Sequence, residues 1–96
     1  MKVRVARSAK ADLDEIWFYI AKKASVETAE RYINFLASKL SFLALTPKAG
    51  RLRPELGLGV RSFSVQNYRI YYREEKRGVL ILYVRHAKRS EEKLLP

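Results

Sequence analysis

Cysteine is absent from the 96-residue sequence, and histidine occurs once, at His86. The first absence rules out a disulfide framework, a thiolate metal site and a cysteine nucleophile. One imidazole cannot build a histidine zinc site by itself, so neither a metal nor another cofactor is expected. Long apolar runs are also missing. The longest uncharged apolar stretch, Val79 to Val84, falls far short of the roughly 20 residues that span a bilayer. The N-terminus, Met1-Lys2-Val3-Arg4-Val5, is charged from its second residue and has no apolar run for a signal peptide, so a soluble cytoplasmic chain is expected. Proline and glycine are sparse, at three and four residues, and bunched: two of the prolines and three of the glycines fall between Pro47 and Gly59. Acidic residues number 10 against 20 Lys and Arg, which leaves a net charge of +10.

The remainder suffices for folding. At 48% apolar residues the chain is too hydrophobic for a disordered polycation, and its length suits one core, so a single domain over residues 1–96 is expected. The charge is uneven. Residues 1–46 carry 8 basic and 5 acidic groups, and residues 47–96 carry 12 and 5, so the C-terminal half supplies most of the positive field.

Val3 and Val5 alternate with polar neighbours and predict a short first strand, after which Ser8 reads as a helix N-cap. Leu13, Ile16, Trp17, Ile20 and Ala24 then recur at helical spacing, predicting a helix from about Ala9 to Ala24. Asp12, Asp14 and Glu15 lie near its positive end, where the helix dipole favours acids. Ser25 reads as the N-cap of a second helix with Ala29, Tyr32, Ile33, Leu36, Leu40 and Leu43 on one face, stopped by Thr46-Pro47. So short a connection predicts an antiparallel hairpin. Pro47 to Gly59 reads as a loop, followed by strands at Val60 to Val65, Tyr68 to Arg73 and Val79 to His86, with turns at Gln66-Asn67 and Glu74 to Gly78. The expected architecture is α+β: a helical hairpin on one face of an antiparallel sheet, made of the N-terminal strand and a C-terminal three-stranded meander. Its core should hold Leu13, Ile16, Trp17, Ile20, Ile33, Leu36, Leu40, Leu43, Phe63, Ile70 and Leu82.

If Gln66-Asn67 is the turn, Val65 faces Tyr68, Ser64 faces Arg69, Phe63 faces Ile70, Ser62 faces Tyr71 and Arg61 faces Tyr72. One face of the sheet then carries Phe63, Val65, Tyr68, Ile70 and Tyr72, with Arg61 at its end. The other carries Ser62, Ser64, Arg69, Tyr71 and Arg73. The first should be covered by the helices and the second left open. The last strand, apolar on both sides, should be central. Several arginines interleaved with aromatics on the open face, with Arg85 or His86 at one end and Arg51 and Arg53 in the loop, suit an anion-binding surface. His86, beside Arg85, Lys88 and Arg89, is the one residue that could serve as a general base, although the sequence places no carboxylate to orient it.

The runs Gly50-Arg51-Leu52-Arg53-Pro54-Glu55-Leu56, Val60-Arg61-Ser62-Phe63, Asn67-Tyr68-Arg69-Ile70-Tyr71-Tyr72-Arg73 and Val84-Arg85-His86-Ala87-Lys88-Arg89 resemble those of ParE toxins of the RelE/ParE superfamily. The resemblance covers nearly the whole chain, with small departures at Val26, where many relatives have Pro, and Gln66, where many have Gly. It implies the toxin of a bacterial toxin–antitoxin module, inhibiting DNA gyrase by binding and silenced by a ParD-like antitoxin. The alternative within the superfamily is a RelE-like, ribosome-dependent mRNA endonuclease. Against that alternative, Val65 stands where RelE relatives place an Arg, and Ser90 to Pro96 contain no Tyr.

On this reading no catalytic residue is expected, and the target-binding candidates are Arg61, Arg69, Tyr71, Arg73, Arg85, His86 and Arg89. A basic surface bounded by edge strands invites an acidic segment that folds on contact. The candidates for that antitoxin contact are the apolar Phe18, Leu45 and Leu52, which lie off the main stripes, with Arg51 and Arg53 to pair with its carboxylates.

Overall fold

A computed structural model of the chain describes residues 2–87. The elements run β1 (Lys2–Val5), α1 (Arg7–Lys23), α2 (Val26–Leu45), β2 (Arg51–Leu52), β3 (Val60–Val65), β4 (Tyr68–Glu75) and β5 (Gly78–His86). The strands form one sheet in the order β1-β5-β4-β3-β2, and the helical hairpin packs on one face of it. This is the expected α+β architecture with β5 inside the sheet, refined in one respect. β1 runs parallel to β5, so the sheet is mixed, and the hairpin together with β2, β3 and β4 makes the long connection between the parallel pair. Among the described residues no helix is long and apolar enough to cross a membrane.

Ser25 caps α2 as its sequence position suggests, its hydroxyl accepting from the Thr28 amide at 3.0 Å. Ser8 does not cap α1. That helix begins at Arg7 after an extended Ala6, and the Ser8 hydroxyl instead donates to the Leu82 carbonyl at 2.7 Å. With the start moved back, no acid lies in the first turn of α1, so the dipole reading of Asp12 fails. The pairing of β3 with β4 follows the turn-based register at every position, from Val65↔Tyr68 to Arg61↔Tyr72.

The core joins Ala9 and Ile16 of α1, Leu36, Leu40, Leu43 and Ala44 of α2, and Val65, Ile70, Tyr72, Val79, Ile81 and Val84 of the sheet. Leu13, Ile20, Ile33 and Phe63 pack on its margin, half-buried. Two expected members fall outside it. Trp17, one step round the helix from Ile16, is half-buried at the rim and sets its ring edge-on to Phe18 at 5.1 Å. Leu82 is the extra residue of a β-bulge. Tyr71 pairs with Tyr83 and Tyr72 with Ile81, so Leu82 is skipped and the inward alternation passes from Ile81 to Val84.

The segment between α2 and β3 is not the structureless loop its composition suggests. Pro47 and Pro54 each open a 3-10 turn, Pro47–Ala49 and Pro54–Leu56, with β2 between them. The Tyr72 hydroxyl, which donates to the Pro47 carbonyl at 2.7 Å and accepts from the Gly50 amide at 2.8 Å, fastens the first turn to the sheet. A Cβ at Gly50 would stand 2.5 Å from that hydroxyl, which accounts for the glycine. The turn after β4 is also tighter than expected, because β4 continues through Glu74 and Glu75 and β5 begins at Gly78.

Candidate functional site: the open face of the sheet

The face of the sheet away from the helices is built by alternation along β3, β4 and β5. It carries Ser62 and Ser64, then Arg69, Tyr71 and Arg73, then Tyr83 and Arg85 beyond the bulge. Arg69 and Arg85 stand directly opposite one another, as do Tyr71 and Tyr83. Two arginines facing each other across a ladder oppose folding, so their presence calls for a compensating charge.

Asp12 is that charge for Arg85. Its carboxylate accepts from the Arg85 Nε and from the Val84 amide, each at 2.9 Å. The arrangement follows from the short length of β1. The β1–β5 ladder ends where the Ala6 amide donates to the Ile81 carbonyl. Beyond that point Ser8 and Asp12, one helical turn apart, take over the edge of β5, at the Leu82 carbonyl and the Val84 amide. Arg85 is thus held over the Tyr83 ring, 4.6 Å from its centroid. Sequence reasoning missed Asp12 as a positioning residue, because its partners lie more than 70 residues away.

The other candidates divide between the two faces. Arg73 is exposed, Arg69 and Arg85 are half-buried, and Tyr71 is buried. Arg61 lies on the helix-covered side, where its Nη1 donates to the Gly50 carbonyl at 2.7 Å, making it a clamp on the 47–50 turn. His86 is on that side too. It pairs in register with Tyr68 and meets its ring edge-on at 5.6 Å, the end of an aromatic series that continues through Tyr32 and Phe35. Burial in this series raises the Tyr32 hydroxyl above the ordinary tyrosine range. The structure therefore groups Arg69, Arg73 and Arg85 and sets His86 and Arg61 apart from them. Arg89 lies outside the described residues.

Of the antitoxin-contact candidates, Phe18 and Leu45 are each 68% exposed, and Leu52 and Arg51 are exposed on the edge strand β2. Arg53 departs from expectation. It is only 5% exposed, donating from Nε to Glu55 at 2.8 Å and from Nη1 to the Ser62 hydroxyl at 3.1 Å. The buried guanidinium pins the loop to the open face and is not offered to a partner. Its hydrogen bond holds the Glu55 carboxyl below the ordinary glutamate range. One exposed residue that the sequence reading passed over is Leu58. The signal was present in the triplet Gly57-Leu58-Gly59, an apolar residue on no stripe and flanked by glycines.

Residues 3–91 match the family described as the ParE toxin of the type II toxin–antitoxin system, parDE. Toxin ParE1 of Caulobacter vibrioides is 35% identical over 70 residues, which cover 73% of each chain. Toxin ParE1 of Mycobacterium tuberculosis is 30% identical over 73 residues, covering 76% of this chain and 74% of that one. Among solved structures, a chain of the chromosomal ParDE toxin–antitoxin system from P. aeruginosa superposes with a TM-score of 0.76 at 23% identity, covering 90% of this chain and 95% of that one, a likeness of fold. The match across almost the whole length, together with the helical hairpin, the mixed sheet and the arginine-bearing face, places this chain in the family of ParE toxins of type II toxin–antitoxin systems.

Proposed function

We propose that this toxin arrests growth in the cytoplasm by binding DNA gyrase and so blocking replication, making and breaking no covalent bond, until a ParD-like antitoxin silences it. The observation that carries the reading is the separation of its groups. Arg69, Arg73 and Arg85 share the open face, while the lone imidazole of His86 packs against Tyr68 on the other. Cleavage of RNA would need a proton acceptor and a cationic stabiliser converging on one phosphate, and this arrangement splits them. A face that offers the exposed Arg73 with the half-buried Arg69, Arg85 and Tyr83 suits docking.

Two features support the antitoxin. Phe18 and Leu45 leave apolar area on the hairpin in water, and Leu52 adds to it at β2 beside the exposed Arg51. In addition, β2 pairs only with Arg61 and Ser62, and among the described residues no strand covers β3 beyond them, an edge open to strand addition. The structural neighbour belongs to a ParDE system, in keeping with such a partner. The test is supercoiling of relaxed plasmid by purified gyrase. Added toxin should inhibit it in proportion to dose, and a ParD-like antitoxin should restore it. Full gyrase activity together with cut transcripts in translating ribosomes would favour the mRNA endonuclease reading.

A further inference from the structure

Leu58 is 95% exposed, the most exposed large apolar side chain among the described residues. The loop that carries it is well held. The Leu56 amide donates to the Arg53 carbonyl at 2.9 Å, the Gly57 amide to Pro54 at 3.2 Å and the Val60 amide to Gly57 at 3.2 Å. Below them the buried Arg53 grips Glu55 and Ser62. The tip turns on Gly57 and Gly59, whose φ angles of 138° and 74° are ones that residues with a side chain rarely adopt. The grip of buried Arg53 on exposed Glu55 and on Ser62, the backbone hydrogen bonds and the glycines together hold one leucine out in solvent, where it contributes nothing to the core.

Arg73 lies next to it. A Cβ at Gly59 would stand 3.6 Å from the Arg73 side chain, so the arginine stem runs along the tip. Leu58, Gly59 and Arg73 line one open groove of about 410 Å3 with Leu52, Arg61 and Glu74. Glu74 is drawn toward Lys48, 3.4 Å away, and Arg73 is left exposed on the tip's side.

We propose that Leu58 is the apolar anchor, and Arg73 its charged neighbour, with which the toxin engages a protein target presenting an apolar pocket rimmed by carboxylates. This rests on the reading that the toxin acts by binding a protein. A rigid convex leucine needs a preformed hollow, which a folded surface has. A segment that folds on contact brings its own apolar residues into grooves, and a phosphate backbone offers an isobutyl group no partner. The exposed Arg73 and the net charge of +10 select an acidic rim.

The experiment compares Leu58→Asp, Leu58→Ser and Leu58→Met in the full chain for inhibition of purified gyrase, for affinity to a ParD-like antitoxin and for thermal midpoint. The Asp and Ser variants should lose about tenfold or more in inhibitory potency, and Met should keep it, with midpoint and antitoxin affinity unchanged in all of them. A Leu58→Asp variant that inhibits as well as the parent, or that loses antitoxin affinity in step with inhibition, would overturn the proposal. If the parent itself leaves gyrase untouched, the gyrase reading fails separately. Growth inhibition on induction without antitoxin then decides for Leu58, lost in Leu58→Asp if it is the anchor and retained if it is not.

Discussion

The Asp12 carboxylate accepts one hydrogen bond from a backbone amide at the end of a strand ladder and another from Arg85, both at 2.9 Å. Replacing it by alanine strands the Val84 amide and removes the neighbour that offsets the facing pair Arg69 and Arg85. A buried donor left unmade costs about 1–3 kcal/mol. Asp12→Ala should therefore lower stability by about that amount in urea denaturation. Asp12→Asn, which keeps an acceptor for the amide and loses the charge, should recover part of it. A second residue-level test lies at the hairpin tip. Gln66 sits at φ 53°, a left-handed conformation that costs a side-chain-bearing residue about 1–2 kcal/mol. Gln66→Gly should stabilise the domain by about 1 kcal/mol, read from the denaturation midpoint, the smaller figure allowing for the greater freedom of an unfolded glycine.

At the scale of elements, ion pairs join parts that the ladder alone does not. Arg4 of β1 makes a two-pronged contact with Glu75 of β4, at 2.9 and 2.7 Å, reaching past β5. Arg53 ties its loop to β3, donating to Glu55 and to the Ser62 hydroxyl. The hydrogen bonds from these arginines hold the Glu75 and Glu55 carboxyls below the ordinary glutamate value of 4.5. Each glutamate then binds its proton less readily folded than unfolded. The stability it adds is complete above 4.5 and is lost as the pH falls through the lower folded value. The midpoint of unfolding should decline below that pH, less steeply in Glu75→Gln. The contribution is small, because both carboxylates are largely in water.

The elements also show where the sequence was legible. The β3–β4 register could be read because the two-residue turn and the contrast between polar Ser62, Ser64, Arg69 and apolar Phe63, Ile70 admit one alignment. The bulge at Leu82 could not, since Val79 to Val84 are apolar on both faces and an extra residue leaves the pattern unchanged. The order within the Pro47 to Gly59 segment was equally hidden. It depends on the Tyr72 hydroxyl and the Arg53 and Arg61 guanidiniums, polar groups whose partners sequence spacing does not reveal.

For the molecule as a whole, the proposed function assigns the two faces of the sheet different tasks, folding to one and target binding to the other. The helix-covered side takes up His86 and Arg61, and the open side keeps the arginines Arg69, Arg73 and Arg85. His86→Ala should leave growth inhibition largely intact where the fold survives, whereas charge reversal at the exposed Arg73 should weaken it by about tenfold or more, measured as viable count after induction. The central claim is that this ParE toxin stops replication by binding. It is tested most directly by inducing it without antitoxin and following the incorporation of labelled thymidine, uridine and methionine in the same culture. DNA synthesis should fall first while RNA and protein synthesis continue. A fall in protein synthesis that precedes any change in DNA synthesis would contradict the account.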